Sequence, residues 1–436
     1  PLQHAATEWA PLPKGLAHRE HTFTVPLDWT APDGATITVF VREVVKAAKT
    51  HASLPHLVFL QGGPGFPSPR PAPPPAWVAE ATKHFSVLLL DQRGTGNSTA
   101  ATLRRVASED VSYLEHFRAD SIACDVEAMR AGLGVEKVSL LSQSFGGFVA
   151  LSLLSFFPTS VDRALFTCGL APVGADIDDV YTATYKRMEA RNRRFYERYP
   201  EDVAKVRAIV KKLPVGLPSG GTLSARRFLS LGIKLGKTGG MEHLHWCLER
   251  PFDADGEFAF EFLHRVDTAH AFHTNPIYFL LHESIYCDGP SGASAWSAQR
   301  VLDSLAGTPF DVDAALAGDD SPVFFTGEMV MPSMLDDYAE LGPVRAAATH
   351  LAEKADWGPL YDEARLRGCD VPVAAVVSYD DVYVEREFSE RVAALLGKNA
   401  RLWVTNEFQH SALWDAGSRV FQTLLGMAQG EVDIPS

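Results

Sequence analysis

The serine best placed to act as a nucleophile lies in residues 140–148, LLSQSFGGF, between two apolar runs at 138–141 and 149–157. A strand that turns sharply into a helix presents a side chain at the bend. The turn is so tight that small residues must flank it, usually as G-x-S-x-G. Gly146 is the second small residue here and Ser142 stands at the first position, so Ser144 is the candidate nucleophile and Ser142 a packing residue. A serine hydroxyl attacks poorly unless a base takes its proton. In a strand–turn–helix of this kind the acid and then the histidine follow later in the chain. Ser378-Tyr379-Asp380-Asp381 follows an apolar run at 371–378, and Asp381 is favoured as the acid, with Asp380 capping or orienting the turn. Glu407-Phe408-Gln409-His410 follows RLWVT at 401–405. His410 is the only histidine after His350, which makes it the candidate base.

Attack on a carbonyl also needs backbone donors aimed at the oxyanion that forms. The amide after the nucleophile, Phe145, is one expected donor. The other is expected from Gln61-Gly62-Gly63-Pro64-Gly65, through Gly63 or Gly65, because glycine lets backbone approach a ligand closely. Asp91 and Arg93, in the next such loop, are expected to brace the site rather than to touch substrate.

These loops require a framework that brings them together. HTFTVPLD at 21–28 and TITVFVREVV at 36–45 alternate and flank a Pro/Asp-Gly turn, which predicts an antiparallel hairpin. LVFL at 57–60, FSVLLL at 85–90 and the run at 138–141 are short and continuously apolar, as strands buried on both faces are. Residues 161–167, 371–378 and 401–405 read the same way. Residues 119–133 place Ile122, Val126, Met129 and Leu133 three or four apart, which predicts a helix that Gly134 stops. Residues 411–429 predict a last helix. Strands alternating with helices give an α/β class with a mostly parallel central sheet, whose ligands sit at the carboxyl ends of the strands. Between about 175 and 345 the pattern turns helical and rich in aromatics and histidines, which predicts an inserted helical lid. The expected organisation is therefore core over 1–174, lid over 175–345 and core again over 346–436.

Composition narrows the functions. The chain has 436 residues, 46% hydrophobic and 22% charged, enough for a large α/β core. A formal net charge of -14 argues against a nucleic-acid partner. No apolar stretch reaches the ~18 residues that a membrane span needs. The five cysteines are widely spaced without a CxxC pair, so reduced thiols in a cytoplasmic protein are expected and no metal site is. His243-Leu244-His245 is not read as a zinc site. PLQHAATEWAPLP lacks the basic start and apolar core of a signal peptide.

GGPG after one strand, LDQRGTGNS after the next, SQSFGGF at the bend and the late Asp381 and His410 together resemble the proline iminopeptidases, serine peptidases of the α/β-hydrolase superfamily. FTVPLDWTAPDGATITVFVRE and LLHESIYCDGPSGASAW are similar to the longer bacterial branch of that family. The chain departs from it at Gln61, where the shorter relatives usually carry histidine, and at Ser142, where glycine is usual. The resemblance implies an α/β-hydrolase fold with an inserted helical lid and a Ser144–His410–Asp381 triad. It implies no cofactor, and peptides with an N-terminal proline as substrates. Such a substrate carries a secondary ammonium beside the scissile carbonyl, which a lid carboxylate pairs with while apolar walls hold the ring. Glu283 and Glu328 are the candidates, with Phe279, Tyr286, Phe324 and Phe325 nearby. A carboxylesterase on the same triad and a tripeptidyl-type aminopeptidase are the rival readings.

Overall fold

The computed structural model describes residues 3–318 and 320–432. Short strands β1 (Gln3–Ala6) and β2 (Ala10–Leu12) both pair with β3 (Leu16–Pro26), which runs antiparallel to β4 (Thr36–Lys46) from Pro26↔Thr36 to Leu16↔Lys46. The expected hairpin is thus present, and β3 begins five residues before the alternating stretch. No periodic signal marks β1 and β2, because their side chains are mostly exposed and have no core face to declare.

β5 (His56–Leu60), β6 (Ser86–Asp91), β7 (Val138–Gln143) and β8 (Val161–Thr167) follow. β9 (Val215–Gly216) and β10 (Thr222–Leu223) form a separate two-residue ribbon. β11 (Val373–Ser378) and β12 (Ala400–Thr405) then rejoin the main sheet. That sheet has ten strands in the order β1-β3-β4-β6-β5-β7-β8-β11-β12, with β2 attached to β3. From β6 to β12 neighbouring strands are parallel. Their carboxyl ends therefore lie along one edge, and the loops beginning at Gln61, Gln92, Ser144, Cys168, Tyr379 and Asn406 emerge together.

Why the runs are apolar without alternation is visible in β7. Leu140 joins the core on one face, with helices Ala119–Gly132 and Phe145–Phe156. Leu141, one residue on, joins the core on the other face, with helices Ala76–Ala81 and Gly417–Gln429. A strand covered on both sides has no polar face to display.

The chain between β8 and β11 adds no strand to the main sheet. Its helices begin with Ile177–Arg198 and have their own apolar clusters. The continuous helical pattern near 200 is broken at Tyr199-Pro200, where a second helix, Glu201–Lys212, starts. The helical stretch continues through Arg345–Glu353, past residue 345, where the sequence places the return of the core. The expected last helix is two, Ala412–Asp415 and Gly417–Gln429.

Arg93 sits under the loop after β6. Its Nε donates to Asp125 Oδ2 at 2.6 Å and Nη2 to Asp125 Oδ1 at 2.5 Å, and its other donors reach the carbonyls of Pro26, Leu27 and His116. Both partners of this ion pair are buried. A buried ion is costly when its partner is removed, and much less so when both are replaced by apolar groups. Asp125→Ala is therefore expected to destabilise the chain by about 3–5 kcal/mol, and Arg93→Met with Asp125→Leu by clearly less. Denaturant unfolding of wild type and the two variants checks this, and a loss in the pair as large as that in Asp125→Ala would contradict it.

Candidate active site

Ser144 stands at the end of β7 with φ 53° and ψ −126°, a conformation that costs a non-glycine residue about 1–3 kcal/mol. The surroundings impose it. The Ser144 amide donates to Thr167 O at 3.0 Å, and the helix Phe145–Phe156 starts at once. A Cβ on Gly146 would lie 2.0 Å from Leu60 O, so the helix packs directly on β5. A Cβ on Gly62 would lie 2.8 Å from Ser144 Cβ. Ser142 is fully buried, and its hydroxyl donates to Leu165 O at 3.2 Å, which makes it a packing residue between β7 and β8.

Opposite Ser144, the loops after β11 and β12 meet. His410 Nδ1 donates to Asp381 Oδ2 at 2.8 Å. Asp381 is buried, and its other oxygen accepts from the amides of Tyr383 and Val384 at 2.9 and 3.1 Å. Asp380, the neighbour that the sequence left as the alternative, turns outward to an ion pair with Arg194 on the helix Ile177–Arg198. Burial alone would depress the His410 imidazolium, but the adjacent Asp381 carboxylate, with Glu328 adding to it, raises the pKa above its ordinary value. His410 Nε2 is buried and has no hydrogen-bond partner among the described residues. The ring is held by one nitrogen, and the other is left open. Ser144 and His410 line the same cavity.

Side chains outside the sequence reading fix the histidine loop. Gln143 Nε2 donates to His410 O at 3.2 Å, and Thr167 Oγ1 donates to Gln143 Oε1 at 2.7 Å. Ser378 Oγ donates to Gln409 O at 2.6 Å, joining the acid loop to the histidine loop. From the helical segment, Gly236 O accepts from the His410 amide at 3.0 Å. The Tyr383 ring packs edge-on against the imidazole, 4.8 Å between centroids. Cys168 lies close to both Asp381 and His410. Burial, with Asp381 adding to it, pushes its thiol up to about 12, so it is a neutral packing group there.

The cavity holds about 930 Å³ and is lined by Gln61, Gly62, Gly63 and Ser144 on the core side. Neither the Gly63 nor the Phe145 amide makes a backbone hydrogen bond among the described residues, which leaves both available. Gly65 is placed differently. It is absent from the cavity lining, and a Cβ there would meet Ile277 Cβ at 2.9 Å, so Gly65 serves the packing of the helix Pro276–Leu281. The loop is braced from the next strand, where Gln92 Nε2 donates to Gln61 O at 3.0 Å. Asp91 accepts from the amides of Ser68 and Asn97 and from Arg70.

The two candidate glutamates part company. Glu328 lines the cavity, accepts from Tyr278 OH at 2.7 Å and is half-buried, with no ion-pair partner among the described residues. Glu283 does not line it. Its carboxylate accepts from the amides of Ala298 at 2.9 Å and Ser297 at 3.1 Å, capping the helix Ser297–Ser304. Burial pushes Glu283 up to about 7 against the pull of those amides. The expected substrate-binding role of Glu283 is therefore replaced by a cap. The aromatics that face the cavity are not the four near the glutamates in sequence. Phe66, Phe272, Tyr278, Tyr383 and Trp414 face the cavity, while Phe279, Tyr286, Phe324 and Phe325 lie in or against the helical clusters. Only the helix Pro276–Leu281 and the turn after β11, once placed, distinguish Tyr278 and Tyr383 from other aromatics.

A family model described as alpha/beta hydrolase fold matches residues 55–251. The proline iminopeptidase of Aeromonas sobria is 42% identical over 420 residues, spanning 94% of this chain and 96% of that protein. Proline iminopeptidase aneH of Aspergillus aculeatus is 33% identical over 436 residues, spanning 95% and 94%. Among solved structures, a thermophilic esterase from Thermogutta terrifontis aligns with a TM-score of 0.44 at 14% identity, covering 94% of this chain and 98% of that one. Among the described residues, no helix is long and apolar enough to cross a membrane.

The electrostatics of His410 give a direct test. Its raised pKa means that the imidazole stays charged beside Asp381 as pH climbs past 6.5 and loses its proton only above that value. An NMR titration of the His410 ring is expected to show its midpoint above 6.5, and Asp381→Asn is expected to move that midpoint down. A midpoint unmoved by the substitution would rule out Asp381 as the cause.

Proposed function

Because the chain belongs to the proline iminopeptidase family of α/β hydrolases, we propose that it is a serine aminopeptidase that releases N-terminal proline from peptides, and that Ser144, His410 and Asp381 perform the reaction. The observation that carries the substrate is Glu328. It is a carboxylate without a countercharge, beside Tyr278, in the same cavity as Ser144 and His410. A peptide that begins with proline brings a secondary ammonium next to the carbonyl to be attacked. Seating that ammonium on Glu328 supplies the missing countercharge and fixes the carbonyl over Ser144.

Neutral His410 takes the Ser144 proton as Oγ attacks the proline carbonyl, and Asp381 stabilises the imidazolium that forms. The amides of Phe145 and Gly63 receive the oxyanion. His410 then gives the proton to the departing amine, and the prolyl ester remains on Ser144. Water, deprotonated by the same histidine, attacks that ester and frees proline. The open Nε2 of His410 supports this reading, since serine–histidine contacts commonly tighten only when substrate is bound. No cofactor enters the scheme. The proposal includes a cytoplasmic location, which the five unbridged cysteines support.

Two substitutions test the assignment. Ser144→Ala is expected to lower kcat by several orders of magnitude without changing the unfolding midpoint. Near-normal turnover would remove Ser144 from the mechanism. Glu328→Gln is expected to cut kcat/KM on a prolyl arylamide by about 100-fold, and on a neutral short-chain ester far less. Wild-type cleavage of the ester without the arylamide would keep the triad and make the chain a general esterase.

A further inference from the structure

The cavity is much larger than one proline ring, and part of its rim is basic. Lys234 from the segment Ser230–Gly236, His243 from the helix Gly240–Cys247 and Lys237 from the turn between them line it. This rim is fastened to the histidine loop at two points. Gly236 O accepts from the His410 amide at 3.0 Å, and the Thr238 amide donates to Ser411 Oγ at 3.2 Å. Lys237 lies between those two positions and is exposed. Lys234 is half-buried and donates to Ala269 O at 3.1 Å. Besides partial burial, His243 feels Lys234, Arg265 and Lys237, all of one sign. The carboxylates lining the cavity are Glu328 and the exposed Asp415, and neither forms an ion pair with the rim among the described residues. Neither Lys234 nor Lys237 forms an ion pair with a carboxylate among the described residues, and both line the cavity that holds Ser144 and His410.

The chemistry fixes which part of the substrate meets this rim. His410 must hand its proton to the leaving amine, so the departing peptide passes the imidazole, and Lys237 stands next to it. We propose that the rim of Lys237, Lys234 and His243 binds a carboxylate of the departing peptide, which makes the chain selective for short peptides carrying a free carboxylate one or two residues beyond the scissile bond. This rests on the aminopeptidase reading above. One extended residue spans about 3.3–3.6 Å, so only a short leaving peptide brings its terminus within reach of a lysine beside His410. A C-terminus and an aspartate side chain offer the same group, and the rim reads that group.

The test measures kcat/KM for Pro-Ala and Pro-Ala-Ala as free acids, for the same peptides as C-terminal amides, and for Pro-Asp amide. The wild type is expected to favour acid over amide by about twofold to fivefold, as for a partly exposed ion pair, and to lose the preference in about 0.5 M NaCl. In Lys237→Gln the acid-to-amide ratio falls towards one, and in Lys237→Glu it falls below one. Because each ratio is taken within one protein, a general loss of activity cancels. Pro-Asp amide behaving like the acids assigns the rim to any carboxylate, and behaving like Pro-Ala amide assigns it to the C-terminus. Equal kcat/KM for acids, amides and Pro-Asp amide in an enzyme that cleaves all of them overturns the proposal. Failure to cleave any of these peptides overturns the aminopeptidase reading itself.

Discussion

A serine backbone held where only glycine is comfortable is the constraint on which this molecule turns. Ser144 keeps φ at 53° because β7 ends against Thr167 O and the following helix lies so close to β5 that no atom fits beyond the Gly146 hydrogen. On the other side of the bend, a Cβ at Gly169 would lie 2.3 Å from Ser144 O. The strain is offset by the two buried cores that grip β7 from both faces. A relaxed bend would withdraw the hydroxyl into the sheet, so the packing of strands far from any substrate sets the direction in which Oγ points.

Around that point, charge is arranged by burial more than by distance. Asp381 is buried and served by two amides and an imidazole, so it holds its proton partner firmly. Glu283 is as deeply set but is spent on a helix end. Among the described residues, Glu328 has one tyrosine hydroxyl and no ion-pair partner. Three carboxylates in one region thus have three different capacities. Only the one with unspent electrostatic demand is suited to an incoming ammonium. The same logic sets Cys168 apart, since burial and the neighbouring Asp381 raise its pKa and keep the thiol protonated.

Much of this was legible in the chain itself because the relevant signals are local. A continuous apolar run ending in Gly, Asp or Ser identifies a doubly covered strand and its exit loop, which is why β5, β6, β7, β8, β11 and β12 and the family likeness could be read. Ser144, Asp381 and His410 come from that order of loops. What could not be read depends on where a helix faces. Glu283 and Glu328 sit in equally apolar sequence, and nothing local says that one meets the amides of Ser297 and Ala298. Phe279, Tyr286, Phe324 and Phe325, near those glutamates in sequence, pack in or against the helical clusters for the same reason. Gly65 shares its loop with Gly63, but only three-dimensional packing on Ile277 distinguishes them. The break at Pro200 was local and readable in principle, because proline begins a helix far more readily than it continues one.

The hydrogen bond from the His410 amide to Gly236 O ties the loop after β12 to the helical segment between β8 and β11. Tyr383 reinforces the tie, since its hydroxyl donates to Ile233 O and its ring occupies the space a side chain at position 236 would need. The helical segment is therefore not an interchangeable cover over a finished hydrolase. Grafting another enzyme's cap onto this core would remove the carbonyl that holds the His410 amide, and exchanging caps by modular recombination would carry a loss of imidazole alignment with it. Residues 233–238 belong with the histidine loop in a design sense, and any recombination boundary has to lie outside them.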